Sequence, residues 1–320
     1  MKKIVGFLLA FVSGFALLGC ERAPENETTV YMPDGAPALA MARLLSEDEE
    51  GDGVTYSVVD TSKEMKTLLS KLTNVDESKN ADFCVLPITA AAQLLGAGER
   101  YQMLGIVTQG NLYLLSNSKD ATPISGASAL VGKTVQVAKI NDVPGLTLKA
   151  VLNRQGLAWQ VVEGENKADD KVNLTAAAIS PDFELVAEPA VSKRVSAGKS
   201  VVVGDLQALY GQENGYPQAV LAGKRAFMDA YPEFTQEFLD KVKDNESWLK
   251  TASAETLFSA ITSHYDDGHT PLFGVENLGA QTVARCGVRF DRGESAKTRI
   301  ETYLTEVGYA LPNAEFYRGI

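Results

Sequence analysis

The chain has 320 residues, is 45% hydrophobic and 22% charged, and carries a net charge of −11. This composition excludes disordered, collagen-like and coiled-coil classes, and the length suggests about two domains. The acidic balance argues against nucleic-acid binding and against a purely electrostatic hold on anionic lipid, and three cysteines are too few for a disulfide scaffold.

Lys2 and Lys3 precede an uncharged apolar run from Ile4 to Leu18. The run is shorter than the roughly 20 residues that span a bilayer, and it has the layout of a secretory signal. It ends in Leu17-Leu18-Gly19-Cys20, which resembles the bacterial lipobox; the resemblance implies cleavage before Cys20 and lipidation of that cysteine. Residues 1–19 are therefore expected to be a signal peptide, and 20–28 the lipidated Cys20 with a polar tether. The expected location is extracytoplasmic, lipid-anchored to the bacterial cell membrane.

Thr29–Met32 reads as a strand ended by Pro33-Asp34-Gly35, and Ala36–Leu45 as a helix with Pro37 in its first turn. Thr55–Val59 is a second strand, and Ser62 caps a helix carrying Met65, Leu68, Leu69 and Leu72. Asp82–Leu86 is a third strand, followed by a helix from Pro87 to Leu95 that stops at Gly96. That βαβαβα order predicts a parallel sheet with helices on its faces. Tyr101–Thr108 and Asn111–Ser116 are further strands. A second unit then begins: strand Thr134–Ala138, helix Pro144–Gln155, strand Trp159–Val162, a polar loop, a short helix Asn173–Ile179, strand Phe183–Ala187, helix Pro189–Ala197 and strand Ser200–Val203. Ala219–Ala222 returns as a strand, and the remainder is mainly helical: Phe227–Leu249 broken near Pro232, Ala254–Tyr265, and Ser295–Val307.

This order predicts an α/β fold of two lobes, 29–116 with 219–320 and 117–218, with chain crossings near Ser116–Ala121 and Gly215–Gln218. In open parallel sheets, ligands bind beyond the carboxyl ends of strands, where helices begin. The loops at Asp34-Gly35-Ala36-Pro37, Thr89-Ala90, Pro144-Gly145 and Glu188 should therefore form a cleft.

The pieces PDGAPALAMARLL (33–45), ADFCVLPITAAAQLL (81–95), GKTVQVAKINDVPGLTLKAVL (132–152), FELVAEPAVSK (183–193), GYPQAVLAGK (215–224) and ARCGVRF (284–290) resemble, in their order and spacing, the substrate-binding lipoproteins of ABC importers. The resemblance is to the NMT1/THI5-like group of aliphatic-sulfonate, taurine, nitrate and thiamine-pyrimidine binders. It implies a two-lobed periplasmic-binding-protein type II fold with an interlobe cleft. It also implies capture of a small-molecule solute and delivery to an ABC permease and its ATPase, with no cofactor and no catalysis. A monomer with no nucleic-acid partner is expected. A sensor lipoprotein on the same fold, and a THI5-like enzyme, are the alternatives; the cysteine-rich motif of that enzyme group has no counterpart here. One departure is the polar loop and short helix between Trp159 and Glu188, which suggests a trimmed rim on the second lobe.

Each candidate residue has a plainer role beside the functional one. Asp34 could recognise a ligand N–H or cap its helix, Gly35 could admit a ligand or make a turn, and Thr89 could donate to a ligand or cap. Glu188 could bind a cationic or donor group or serve as a structural cap, while Asn111, Tyr113 and Tyr216 could line the cleft or pack the hinge. Asp34, Asp142 and Glu188 together would repel an anion unless they point away, so a neutral or amine-bearing heterocycle is favoured over a small anion. His264 and His269 flank Asp266 and Asp267, which are zinc-ligand types; their place between late helices instead predicts a solvated helix end on the far side of the cleft. Cys84 and Cys286 could pair or remain free. No hydrolase, Walker or zincin motif occurs, and Ser196–Lys199 fits S-x-x-K only by spacing.

Overall fold

The computed structural model describes residues 24, 27–49, 51–60, 70–163, 166–178, 180–211, 215–266 and 268–319. The signal segment, Cys20 and the helix expected after Ser62 lie outside these residues, except for the end of that helix at Ser70. Among the described residues, no helix is long and apolar enough to cross a membrane.

The first part of the chain forms β1 (Thr28–Pro33), two short helices α1 (Ala36–Leu39) and α2 (Ala42–Ser46), β2 (Val54–Val59), β3 (Phe83–Pro87), α3 (Ile88–Leu95) and β4 (Tyr101–Gln109). The second part holds β5 (Leu112–Ser116), β6 (Thr134–Gln136), α4 (Val143–Arg154), β7 (Trp159–Val161), β8 (Val172–Thr175), β9 (Phe183–Ala187), α5 (Ala190–Ser196), β10 (Val201–Asp205) and α6 (Leu206–Tyr210). The chain then returns through β11 (Pro217–Lys224) to α7 (Arg225–Ala230), α8 (Pro232–Leu249), α9 (Ala254–Thr262), α10 (Ala280–Arg285), β12 (Val288–Asp291) and α11 (Gly293–Glu306).

Two six-stranded sheets result, in the orders β12-β4-β11-β3-β1-β2 and β10-β5-β9-β6-β8-β7. Both are mixed rather than purely parallel. β2, β1 and β3 run parallel, whereas β11 lies antiparallel between β3 and β4, because it brings the chain back from the second lobe. In the second sheet β7, β8, β6 and β9 are parallel, and β5 and β10 are antiparallel at one side.

β3 and β11 are buried on both faces. Phe83, Val85, Ala219 and Leu221 enter the cluster under α1, α2, α8 and α9, while Cys84, Leu86, Val220 and Ala222 enter the cluster under α3 and α11. That is the two-residue alternation of a strand covered by helices on both sides. Phe83 stacks on Phe238 at a centroid distance of 4.3 Å. The second cluster runs on through β5 into α4, so one apolar core passes through the crossing.

Three expectations are corrected. The Leu112–Ser116 strand belongs to the second sheet, so the first crossing falls at Gly110–Asn111 rather than at 116–121. The start of the segment expected as a helix at 173–179 is β8, which pairs with β6 and β7 and has Val172 and Leu174 buried; Ile179 lies outside the described residues. Asn173 within β8 is buried too; its amide binds Ala168 on both backbone sides and so ties the polar loop to the sheet. The first helix breaks at Ala40–Met41 into α1 and α2.

Arg299 on α11 brackets both crossings. Its guanidinium donates to the Gln109 side chain, to Asp291 at 2.6 Å and to the Gly215 carbonyl at 3.4 Å. Beside it Tyr216 stacks on Tyr303 at 5.8 Å, in the space left by the missing side chain of Gly110. Tyr303 in turn meets the Thr147 hydroxyl of α4 at 2.8 Å.

Candidate functional site

A cleft of about 950 Å³ lies between the two sheets, at the carboxyl ends of β1, β3 and β9. Asp34, Gly35, Ala36, Pro37, Thr89, Ala90, Asn111, Pro144 and Glu188 all line it. Gly145 and Tyr216 do not. Gly145 packs α4 onto its own entry loop, where a Cβ would stand 2.0 Å from the Ile140 carbonyl oxygen. Tyr216 is fully buried in the hinge stack.

The two carboxylates expected to face a ligand are committed elsewhere. Asp34 Oδ1 accepts from the Gly35 N–H at 2.6 Å. Its Oδ2 accepts from the Tyr265 hydroxyl at 2.8 Å, from the Leu272 N–H at 3.0 Å and meets His269 Nε2 at 3.1 Å. Burial and the adjacent Asp34 push the Tyr265 hydroxyl up, so it stays protonated as a donor. Tyr265 and His269 are therefore not on a solvated end remote from the cleft; they back the cleft wall, and Leu272 beyond them lines the cleft directly.

Glu188 acts in the first turn of α5. Its carboxylate accepts from the Ser192 N–H at 3.0 Å and the Ser192 hydroxyl at 2.9 Å, and stands 3.8 Å from Arg285. Burial raises its pKa, opposed by the two Ser192 bonds and by Arg285. Tyr113 packs beside this cluster, donating to the Arg285 carbonyl at 3.2 Å.

The remaining charges balance along the rim. Arg194 pairs with Glu184 at 2.8 Å. Lys139 and Asp142 are exposed, three residues apart, and their side chains have no polar partner among the described residues. Of the charged lining residues, Asp34, Glu184, Glu188 and Arg194 are bonded within the protein. Thr89, in the first turn of α3, does not cap that helix, and its hydroxyl has no partner among the described residues. The side-chain oxygens of Asn111 and Gln218 are buried with no hydrogen-bond partner among the described residues. Both residues line the cleft, one at each crossing. Leu112, Val143, Leu185, Val186, Leu272 and Tyr309 supply apolar wall.

Gln218, Leu272 and Tyr309 were not among the expected site residues. Gln218 sits inside the apolar run PQAVLAGK, where a lone buried amide was the available signal. Cys84 and Cys286 are separate buried free thiols, and burial pushes both up.

The fold and cleft together define a periplasmic-binding-protein architecture, and solved structures share it. The chain is similar to an ABC transporter protein from Parabacteroides distasonis, with 19% identity, a TM-score of 0.63, and 91% of this chain and 98% of that one covered. It is similar to the periplasmic aliphatic sulphonate binding protein SsuA from Escherichia coli, with 13% identity, a TM-score of 0.61, and 93% and 92% covered. A Candida albicans gene product exhibiting the generic periplasmic binding protein fold matches with 15% identity, a TM-score of 0.53, and 92% and 94% covered. No family model and no curated protein matches the chain. At these identities the likeness establishes the fold: two α/β lobes around a cleft.

Proposed function

We propose that the protein is an extracytoplasmic receptor, lipid-anchored through Cys20, that captures a small neutral solute in the interlobe cleft. It hands the solute to an ABC import permease and its ATPase, and the lobes close on the solute about the two crossings. The observation that carries this reading is the pair of cleft-lining amides, Asn111 and Gln218, one at each crossing, whose buried side-chain oxygens are unpaired among the described residues. Buried polar groups are almost always hydrogen-bonded, and movement of the lobes onto a solute that presents donors brings these two a partner. Likeness to an ABC transporter protein and to a sulphonate binder supports import as the use of such capture.

The charge pattern revises the class of solute. Asp34 and Glu188 are already bonded and leave no inner carboxylate free for an amine. Lys139 and Asp142 line the cleft without polar partners among the described residues, one of each sign, so the free charges of the lining cancel. A neutral hydrogen-bonding head on an apolar body, as in a heterocyclic amide, fits a lining without net free charge.

A thermal-shift screen of the full chain in detergent micelles tests this. The panel holds neutral heterocycles, amines, aliphatic sulfonates and nitrate. A compound at a hundredfold excess over its dissociation constant stabilises the folded state by about 2.7 kcal/mol. The expected result is a shift with neutral heterocycles. A shift confined to sulfonates would overturn the solute class, and no shift across the panel would count against capture.

A further inference from the structure

Both histidines of the chain follow α9, in 264–266 and 268–272, and the described residues of these two pieces carry almost no regular structure. They are nevertheless fastened at both ends. At the first end His264 Nε2 meets Asp48 Oδ2 at 3.0 Å, and the His264 carbonyl accepts the Val58 N–H at 3.0 Å, so His264 docks on the edge of β2. At the second end Tyr265, His269 and the Leu272 N–H converge on a single oxygen of Asp34, while Tyr265 and His269 stack at 3.9 Å. Asp34 has no side-chain exposure and His269 only 3%. An unstructured segment gains position from such bonds, because each one removes freedom the backbone would otherwise keep.

What this fastening presents to the cleft is Leu272. The residue is 40% exposed, unusual for a leucine flanked by buried anchors, and it lines the cleft. Its Cδ1 lies 3.6 Å from the position a Cβ would take on Gly35, and Pro189 of the second lobe lies 3.9 Å from the same position. Leu272 thus stands where the two lobes approach one another, beside the loop that ends β1.

We propose that Gly268–Leu272, fastened through His269 and Leu272 to Asp34, is the selectivity wall of the cleft. Leu272 sets the size of the apolar body a solute can carry, and Asp34 is the positioning residue that holds Leu272 in place. The proposal rests on the solute-capture reading above. Asp34 does not touch the solute; its three bonds from Tyr265, His269 and Leu272 fix the height of the wall, and the exposed face of Leu272 is the surface the solute covers.

The test uses the full chain in detergent and two homologous probe series, N-alkylureas and linear alkanesulfonates, each from methyl to octyl. Affinity is measured by calorimetric titration, and the readout is the chain length at which affinity peaks. Leu272→Ala opens the wall and moves the peak to longer chains. Leu272→Trp moves it to shorter ones, with a loss of roughly tenfold or more for the longest chain that wild type binds well. Asp34→Asn weakens the fastening and flattens the profile, while methyl members keep their affinity within about threefold; a purely structural loss would lower all members together. Tyr265→Phe, which removes one hydroxyl and no charge, gives the same readout if Asp34→Asn fails to fold. A peak unmoved by both Leu272 variants overturns the wall and leaves solute capture standing. Wild type that binds no member of either series overturns solute capture and the wall with it.

Discussion

Thr282 donates its hydroxyl hydrogen to the Ser192 hydroxyl at 2.8 Å, and Ser192 donates in turn to the Glu188 carboxylate at 2.9 Å. Thr282 lies on α10, which leads into the first sheet, and Ser192 on α5 of the second lobe. A buried relay of hydroxyls therefore joins the lobes next to the cleft. Thr282→Val keeps the shape and removes the donor, at an expected cost of about 1 kcal/mol in urea unfolding. Ser192→Ala removes the middle of the relay and leaves Glu188 with fewer partners, so about 2–3 kcal/mol is expected. Equal losses would contradict the relay.

Glu188 makes stability depend on pH. Its folded-state pKa is raised, with burial as the main cause. The folded chain then holds this proton more tightly than the unfolded chain does. Its contribution to stability grows as pH falls through the raised pKa and levels off below the unfolded value of roughly 4.3. Glu188→Gln cannot titrate. The stability of wild type relative to this variant should increase as pH falls from 7 to 4, read from urea midpoints. Parallel pH curves for the two proteins would sink the idea.

Gly35 adopts φ 92° and ψ −141°, a conformation open to glycine and costly for other residues. Gly35→Ala should lose about 1–3 kcal/mol for that strain alone. Gly35→Val adds bulk between Leu272 and Pro189, so it should also lower solute affinity by holding the lobes apart. A valine variant that binds like the alanine variant would show that the lobes do not close on this point.

Arg299 joins Gln109, Asp291 and Gly215, one contact on each crossing and one on β12. Hydrogen bonds to charged groups contribute about 1.5–3 kcal/mol each. Arg299→Ala should cost about 2–4 kcal/mol, and Arg299→Lys should recover only part, because a single ammonium cannot reproduce the planar fork. Full recovery by lysine would mean that charge, not geometry, holds the crossings.

Much of the fold was legible in the sequence. The apolar run Phe83–Pro87 followed by α3 and Gly96 marks a doubly covered strand and its helix, and the structure has both. The helix α6 was passed over in the sequence, although Asp205 caps it and Gly211 ends it in the left-handed region. β8 was misread because four residues between polar loops show too little of either period. The cleft loops were legible because strand ends precede helix starts. The orientation of their side chains was not. Asp34 takes its partners from residues 231, 235 and 238 positions further along the chain, and no local pattern announces contacts of that range. The first crossing was misplaced for a related reason: Leu112–Ser116 is as apolar as β4, and only pairing with β9 and β10 assigns it to the second sheet.

The most direct test of solute capture is one variant measured twice. Asn111→Leu removes an interior amide whose oxygen is unpaired among the described residues, while the Asn111 carbonyl still accepts the Glu188 N–H. Removing an unsatisfied buried polar group should leave stability unchanged or higher. The strongest neutral stabiliser from the screen is then titrated into both proteins by calorimetry. One site per chain in wild type, with affinity lowered more than tenfold in Asn111→Leu at undiminished stability, is the predicted result. Equal affinity in the two proteins would contradict binding at Asn111 in the cleft.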